Sequence, residues 1–301
     1  MKNLYKIIFL SFFFFITFNL TEAKAADYPL CDPDYTNASG EINLGAIAEP
    51  KTCMTRAEAY EFTIYEVHLC TSAPTAATTS RAIIKSSCEL VFENSTGSTV
   101  SLSSTEGESE NLIGNFYKPP NGNYTHAYLK IDNVFGVTGS ATFSDQDYRG
   151  QGNNGSGNTC VTRSSAAVET LTGTTFPQET SLCGDGGEIG SAGKKMIQLQ
   201  SLDCCDGLVT SDTETNINGT NQIGQPSLVD SNGRLITSEE QADVIDYIVT
   251  FGSAKTIDEN TSGLNLAFNI SSALEVHTYS DNDYILFMFG PPVVFIDLRS
   301  S

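Results

Sequence analysis

The sequence predicts a mostly β protein: an antiparallel β-sandwich, built as one large unit or two associated ones, with one short helix and long polar loops. Three observations predict it. Period-two alternation recurs along the chain, most clearly at Leu264, Leu266, Phe268 and Ile270, continued in phase by Leu274 and Val276. β-Branched and aromatic residues gather in short runs bounded by Gly, Pro, Asn and Asp, as strands require. Eight cysteines follow a leader of the export type, so disulfides are expected to staple the fold.

The leader comes first. Residues 1–25 read as a signal peptide: Lys2 and Lys6 precede an apolar run over 7–18, and Ala23-Lys24-Ala25 offers a small-x-small cleavage site. That run is shorter than the roughly 18 residues of a membrane span. The apolar C-terminal stretch 284–298 is broken by Gly290-Pro291-Pro292, so no transmembrane span is expected in the mature chain. The formal charge is -20. Loss of Lys2, Lys6, Lys24 and Glu22 with the leader removes a net two positive charges and leaves -22. Such a surface repels nucleic acid and anionic membrane. It suits an exported protein of the periplasm, cell surface or extracellular space.

Residues 26–145 are expected to form an N-terminal β-sandwich region and 146–160 a Gly/Asn-rich loop or linker. Residues 161–301 form a C-terminal β-rich region that completes the same sandwich or builds its own. In chain order, 27–57 is loop-rich, with turns at Asp32-Pro33 and Glu49-Pro50. The strongest strand is 61–70, EFTIYEVHLC, and its alternation changes phase. Tyr60, Phe62 and Ile64 are apolar on even positions; Tyr65, Val67 and Leu69 are apolar on odd ones. A one-residue slip exchanges the two faces, so a β-bulge or a switch between sheets is expected here. Residues 73–80 read as a Thr/Ala loop, and 88–92 with 99–102 as a hairpin around Asn94-Ser95-Thr96-Gly97.

Beyond a turn at Lys118-Pro119-Pro120-Asn121-Gly122, Ala127, Leu129 and Ile131 alternate with Tyr128, Lys130 and Asp132, a half-buried strand. Residues 137–143 and 196–202 are further strand candidates. Ser238-Glu239-Glu240-Gln241 fits a capping box, so a short helix is expected from Glu239, changing to strand near Asp246 and ending at Gly252. Residues 285–289 and 293–298 are apolar on both faces. They are either central strands covered on both sides or, for one of them, a strand that pairs with another molecule.

The cysteine spacing suggests Cys31–Cys53 and Cys70–Cys88. Cys160 and Cys183 are expected to join Cys204 and Cys205 in either order, with a Cys204–Cys205 bridge as the strained alternative.

Four chemistries are weighed. Calcium is the one cofactor the loops suggest, through the paired acids Asp145/Asp147 and Asp281/Asp283, since hard cations take clustered oxygens. Asp and Asn also favour turns for their own reasons. The turn Asp230-Ser231-Asn232-Gly233 imitates part of an EF-hand, but its first ligand position falls on Leu228. The three histidines, His68, His126 and His277, read as exposed surface residues rather than a zinc set. No G-x-S-x-G elbow or phosphate loop of correct spacing occurs. Trp is absent, which weakens a sugar platform, though Tyr could serve. The reading is therefore an exported, acidic, disulfide-bonded, non-enzymatic β protein that acts by binding or self-assembly, with self or an envelope partner. A calcium-dependent ligand- or carbohydrate-binding module and a secreted hydrolase are the alternatives.

Overall fold

The computed structural model describes residues 29–49, 51–103, 112–150, 156–164, 180–185, 189–199, 202, 211, 214–215, 222–238, 241–279, 284–289 and 293–300. Its strands are β1 (Thr52–Thr55), β2 (Ala59–Cys70), β3 (Cys88–Ser103), β4 (Asn115–Phe116), β5 (Gly122–Asp132), β6 (Val134–Thr138), β7 (Ser140–Thr142), β8 (Tyr148–Gly150), β9 (Ser156–Gly157), β10 (Thr159–Arg163), β11 (Thr180–Gly184), β12 (Lys195–Gln198), β13 (Glu214–Thr215), β14 (Ile223–Val229), β15 (Val244–Ile257), β16 (Thr261–Asn269), β17 (Leu274–Tyr279), β18 (Tyr284–Phe289) and β19 (Val293–Ser300). Among the described residues no helix reaches seven residues, and the fold is a mostly β sandwich of antiparallel sheets.

The main sheet is organised by β2. One edge of β2 pairs with β3, which carries β4 beyond it; the other pairs with β6 at its start and with β5 thereafter. β5 leads on to β15, β14 and β13, and β6 leads to β12. The opposite layer contains the sheet β1-β17-β18-β8-β9, the three strands β11-β10-β7 and the ribbon β16-β19. One apolar cluster runs between the layers, from Cys31 to Ile296, and takes side chains from both halves of the chain. Phe62 of β2 meets Phe268 of β16 edge-on across it, ring centroids 4.8 Å apart.

The phase change in β2 is a bulge. Ile64 and Glu66 oppose Ile131 and Lys130 of β5, so Tyr65 is the extra residue. Tyr60, Phe62 and Ile64 before it, and Val67 and Leu69 after it, are all buried in the same core. The neighbouring strand corrects the expected hairpin. β3 runs unbroken from Cys88 to Ser103, and Asn94-Ser95-Thr96-Gly97 is not its turn. Ladder partners step from Glu93 to Ser98 while β2 steps only from Glu66 to Ile64, so these four residues loop out beside Tyr65. Gly97, with φ +82°, lets the chain re-enter the ladder. A turn sequence here makes a wide bulge because β2 continues past it as a template.

β5 and β6 form one line interrupted at Asn133. Its Nδ2 donates to the carbonyls of Leu199 (3.2 Å) and Ala242 (2.9 Å), joining the end of β12 to the approach of β15. β15 begins at Val244 and continues through Gly252 to Ile257, with a register shift between Thr250 and Lys255. Gly252 thus lies in an irregularity rather than at an end. Glu239 and Glu240, the start of the expected helix, lie outside the described residues. Gln241 reaches back to Thr237 rather than to Ser238, its Oε1 accepting the Thr237 N–H at 2.9 Å, and the described residues after it enter β15 at Val244 without an α-helix, which corrects the expected helix running to Asp246. Pro226 sits inside β14 opposite Tyr247 of β15; on the other flank the described pairings fall at Ile223, Gly224, Ser227 and Val229 and skip Pro226 itself.

The Gly-rich stretch 146–160 contributes β8, β9 and the start of β10. A side chain on Gly150 would strike the backbone of Ser181 and Leu182, and one on Gly157 the backbone of Gly184. These glycines mark close backbone approach rather than a free loop. β8 runs parallel to β18, Arg149 opposite Tyr284 and Gly150 opposite Ile285. β18 therefore has partners on both edges, whereas β19 pairs with β16 alone among the described residues.

Among the described residues three disulfides form: Cys31–Cys53, Cys70–Cys88 and Cys160–Cys183. The first two match the spacing argument. The third overturns the expected pairing of Cys160 and Cys183 with Cys204 and Cys205. β10 and β11 are antiparallel neighbours that set Cys160 opposite Cys183, Cα atoms 4.0 Å apart. Cys204 and Cys205 lie outside the described residues, as do residues 1–28.

Candidate functional site

The main sheet has a second, outer face, and register dictates what stands there. His68 opposes Tyr128, which opposes Ile248; Glu66 opposes Lys130, which opposes Asp246. Side chains at these positions point away from the core strip of Val67, Leu69, Ala127, Leu129, Ile245 and Tyr247. The pattern alone makes the outer face look wet. Instead, residues 71–87 fold back over it as a flap closed at its base by Cys70–Cys88. Thr71 N–H donates to Ser87 O at 2.9 Å at that base. Within the flap, Thr75 bridges to Ile84 and Thr78 to Arg81. Ile83 packs on Cys70, Tyr128 and Ile248, and also on the group Ala77, Val229 and Val244.

Lys85 brings the flap's charge to the sheet. Its Nζ donates to Glu66 Oε2 at 2.5 Å, lies 3.3 Å from His68 Nε2, and sits 4.6 Å from the centroid of the Tyr128 ring. His68 Nε2 is 2.9 Å from the same Glu66 oxygen, and its ring meets Tyr128 edge-on at 5.4 Å. Tyr128 in turn donates its hydroxyl to Asp246 Oδ1 at 2.6 Å. At the bulge, Tyr65 donates to Asp132 Oδ2 at 3.0 Å. Among the described residues, His68 Nδ1 and Asp246 Oδ2 are buried without a hydrogen-bond partner.

Environment drives the acids of this cluster apart. Glu66 is held down to about 2, chiefly by its hydrogen bond with His68 and further by Lys85, against the opposing effect of burial. Asp246 is pushed up by burial, which outweighs the hydrogen bond from Tyr128 and the nearby lysines. Burial, and then the charge of Asp246, raises Tyr128 above the ordinary phenol range. Tyr65 is pushed up to about 12 by burial and by Asp132.

The residues singled out from sequence fall elsewhere. Asp145 precedes β8, and its Oδ2 accepts the Gly45 N–H and the Tyr148 hydroxyl, each at 2.8 Å. Asp147 is exposed in the same loop. Asp281 and Asp283 lie outside the described residues; Tyr284, which follows them, is paired beside Arg149. Asp230 Oδ1 accepts the N–H groups of Asn232 (2.8 Å) and Arg234 (2.9 Å), the turn chemistry of an aspartate rather than a cation loop. Among the described residues no three His, Cys, Asp or Glu side chains gather as a metal site.

The histidines depart from expectation. His68 and His277 are buried, and His126 is half-buried. His277 contacts Thr52 through Nδ1 on the opposite layer, and burial lowers its pKa. Sequence reasoning passed over Glu66, Lys85, Tyr128 and Asp246. The available signal was the spacing Glu66-x-His68 on one face of a strand that ends in a cysteine. Among the described residues no helix is long and apolar enough to cross a membrane. No protein-family description, characterised protein or solved structure matches this chain.

Proposed function

We propose that the protein is an exported, non-enzymatic component of the cell envelope or extracellular space that works by strand-mediated association with further copies of itself. One observation carries the reading. β16 and β19 pair only with each other among the described residues, which leaves both outer edges of the ribbon without ladder partners. A strand edge with no ladder partner templates pairing with another chain unless proline, lysine or a covering segment blocks it. Neither β16 nor β19 contains proline or lysine. The three disulfides and the acidic composition support an oxidising, extracytoplasmic setting. The outer-face cluster supports a role without catalysis, since its carboxylate, imidazole and ammonium bind one another.

Sedimentation of the mature protein tests the proposal. Oligomers or fibres are expected at micromolar concentration, and removal of residues 293–301 is expected to abolish them. Val294→Lys, checked by circular dichroism for an unchanged β signal, is expected to shift the population to monomer. A full-length protein that stays monomeric at every concentration rejects the reading.

A further inference from the structure

Lys85 occupies the kind of position a ligand would take. Its ammonium is met by the Glu66 carboxylate and the face of the Tyr128 ring, beside the His68 imidazole, whose Nε2–H donates to the same Glu66 oxygen. A carboxylate combined with an aromatic wall is the chemistry that recognises an alkylammonium. Two further observations distinguish this place from an ordinary surface ion pair, which contributes little. His68 and Asp246, 8 % and 4 % exposed, each keep a polar atom without a partner among the described residues. Lys85 and Glu66 keep 29 % and 30 % of their side-chain surface exposed, so the ammonium position opens to solvent while His68 and Asp246 are sealed.

The segment that delivers Lys85 is weakly seated. Of residues 71–87 only Pro74 and Ala77 are buried; Ile83 is half-buried, and Ile84 is 41 % exposed. One backbone hydrogen bond, Leu235 N–H to Thr78 O at 3.1 Å, ties the flap's tip to the β14–β15 connection. Few buried apolar contacts and exposed backbone bonds are the marks of a segment that opens locally while the body stays folded.

We propose that Glu66, His68 and Tyr128 form a binding site for a primary alkylammonium group, filled in the closed flap by the chain's own Lys85. Ligand and Lys85 compete, so the flap sets the affinity. The inference does not depend on the strand-edge reading.

The test removes the internal occupant. Lys85→Ala is titrated with n-butylammonium in about 0.3 M salt, which screens the acidic surface, with n-butanol as the uncharged control. Saturable binding is expected, with a rise in Tm of about 2 °C at tenfold over half-saturation. Adding Glu66→Gln is expected to remove it. A parallel arm with an end-capped Gly-Lys-Gly peptide separates a free amine from a lysine on a partner chain; binding of either supports the site. No Tm rise with either amine, an equal rise with butanol, or a rise that survives Glu66→Gln overturns it. If Lys85→Ala does not fold, the wild type decides. n-Butylammonium is expected to speed amide exchange at Thr75, Thr78, Arg81 and Ile84 several-fold over sodium chloride of equal strength, and unchanged exchange overturns the proposal.

Discussion

The two faces of the main sheet are made by the same strands and held by different physics. Toward the core, β2, β5 and β15 present Phe62, Ile64, Val67, Leu69, Ala127, Leu129, Ile131, Ile245, Tyr247 and Val249, all buried in one continuous cluster. Toward the flap they present Glu66, His68, Tyr128, Lys130, Asp246 and Ile248. The inner face gains by removing apolar area from water, which needs only complementary shape. The outer face buries titratable groups, so its stability depends on the protonation state and partner of each one. The difference teaches that a single alternating strand can encode a packing surface and a titrating surface at once.

The sharpest test of the contrast is on the inner face. Phe62→Ala removes a ring 2 % exposed that packs on Phe268 and is expected to cost about 3–5 kcal/mol at any pH, read from urea unfolding. A loss that varied strongly with pH would show that the two faces are coupled.

On the outer face the next effect is smaller and acid-dependent. Glu66 titrates lower in the folded chain than in the unfolded one, so its contribution is present above its ordinary value of 4.5 and is lost as pH falls toward about 2. Glu66→Gln is expected to cost about 1–2 kcal/mol near neutrality, because charge-assisted hydrogen bonds to a partly exposed group are lost, and progressively less as pH falls toward about 2. Unfolding midpoints across that window check it.

Asp246 is expected to give the smallest effect, with the opposite sign. Its folded value is raised, so its contribution is present below the ordinary value of 3.8 and fades as pH rises above it. Asp246→Asn keeps an acceptor for Tyr128 and is expected to remove that decline. If wild type and variant show parallel pH profiles, the carboxyl is not the source.

Much of the inner face was legible. The even-to-odd change at Ile64 and Tyr65 calls for a bulge or a switch between sheets, and the structure has the bulge, with β2 staying in one sheet. The pairs Cys31–Cys53 and Cys70–Cys88 were legible because each joins cysteines adjacent in sequence order. Cys160–Cys183 closes a comparably short excursion but was not legible, because Cys204-Cys205 offered competing partners and only the β10–β11 register sets Cys160 opposite Cys183. Asn94–Gly97 looked like a hairpin because its residues suit a turn, yet β2 continues past and holds β3 on course. Gly150 and Gly157 looked like linker because close approach to another backbone selects the same residue as freedom does. The flap cluster was the least legible part. Glu66, Lys85, Tyr128 and Asp246 are far apart in the chain, and only a covering segment turns an apparently wet face into a buried one.

β1 has β17 as its ladder partner, with Thr52 opposite His277. β1 thus waits for a partner more than two hundred residues further along the chain. Closing so long a loop is entropically slow, and no partial length of chain can complete this edge. The β1–β17 ladder therefore forms only after β17 has been synthesised, whereas β7, β10 and β11 of the same layer can find one another earlier.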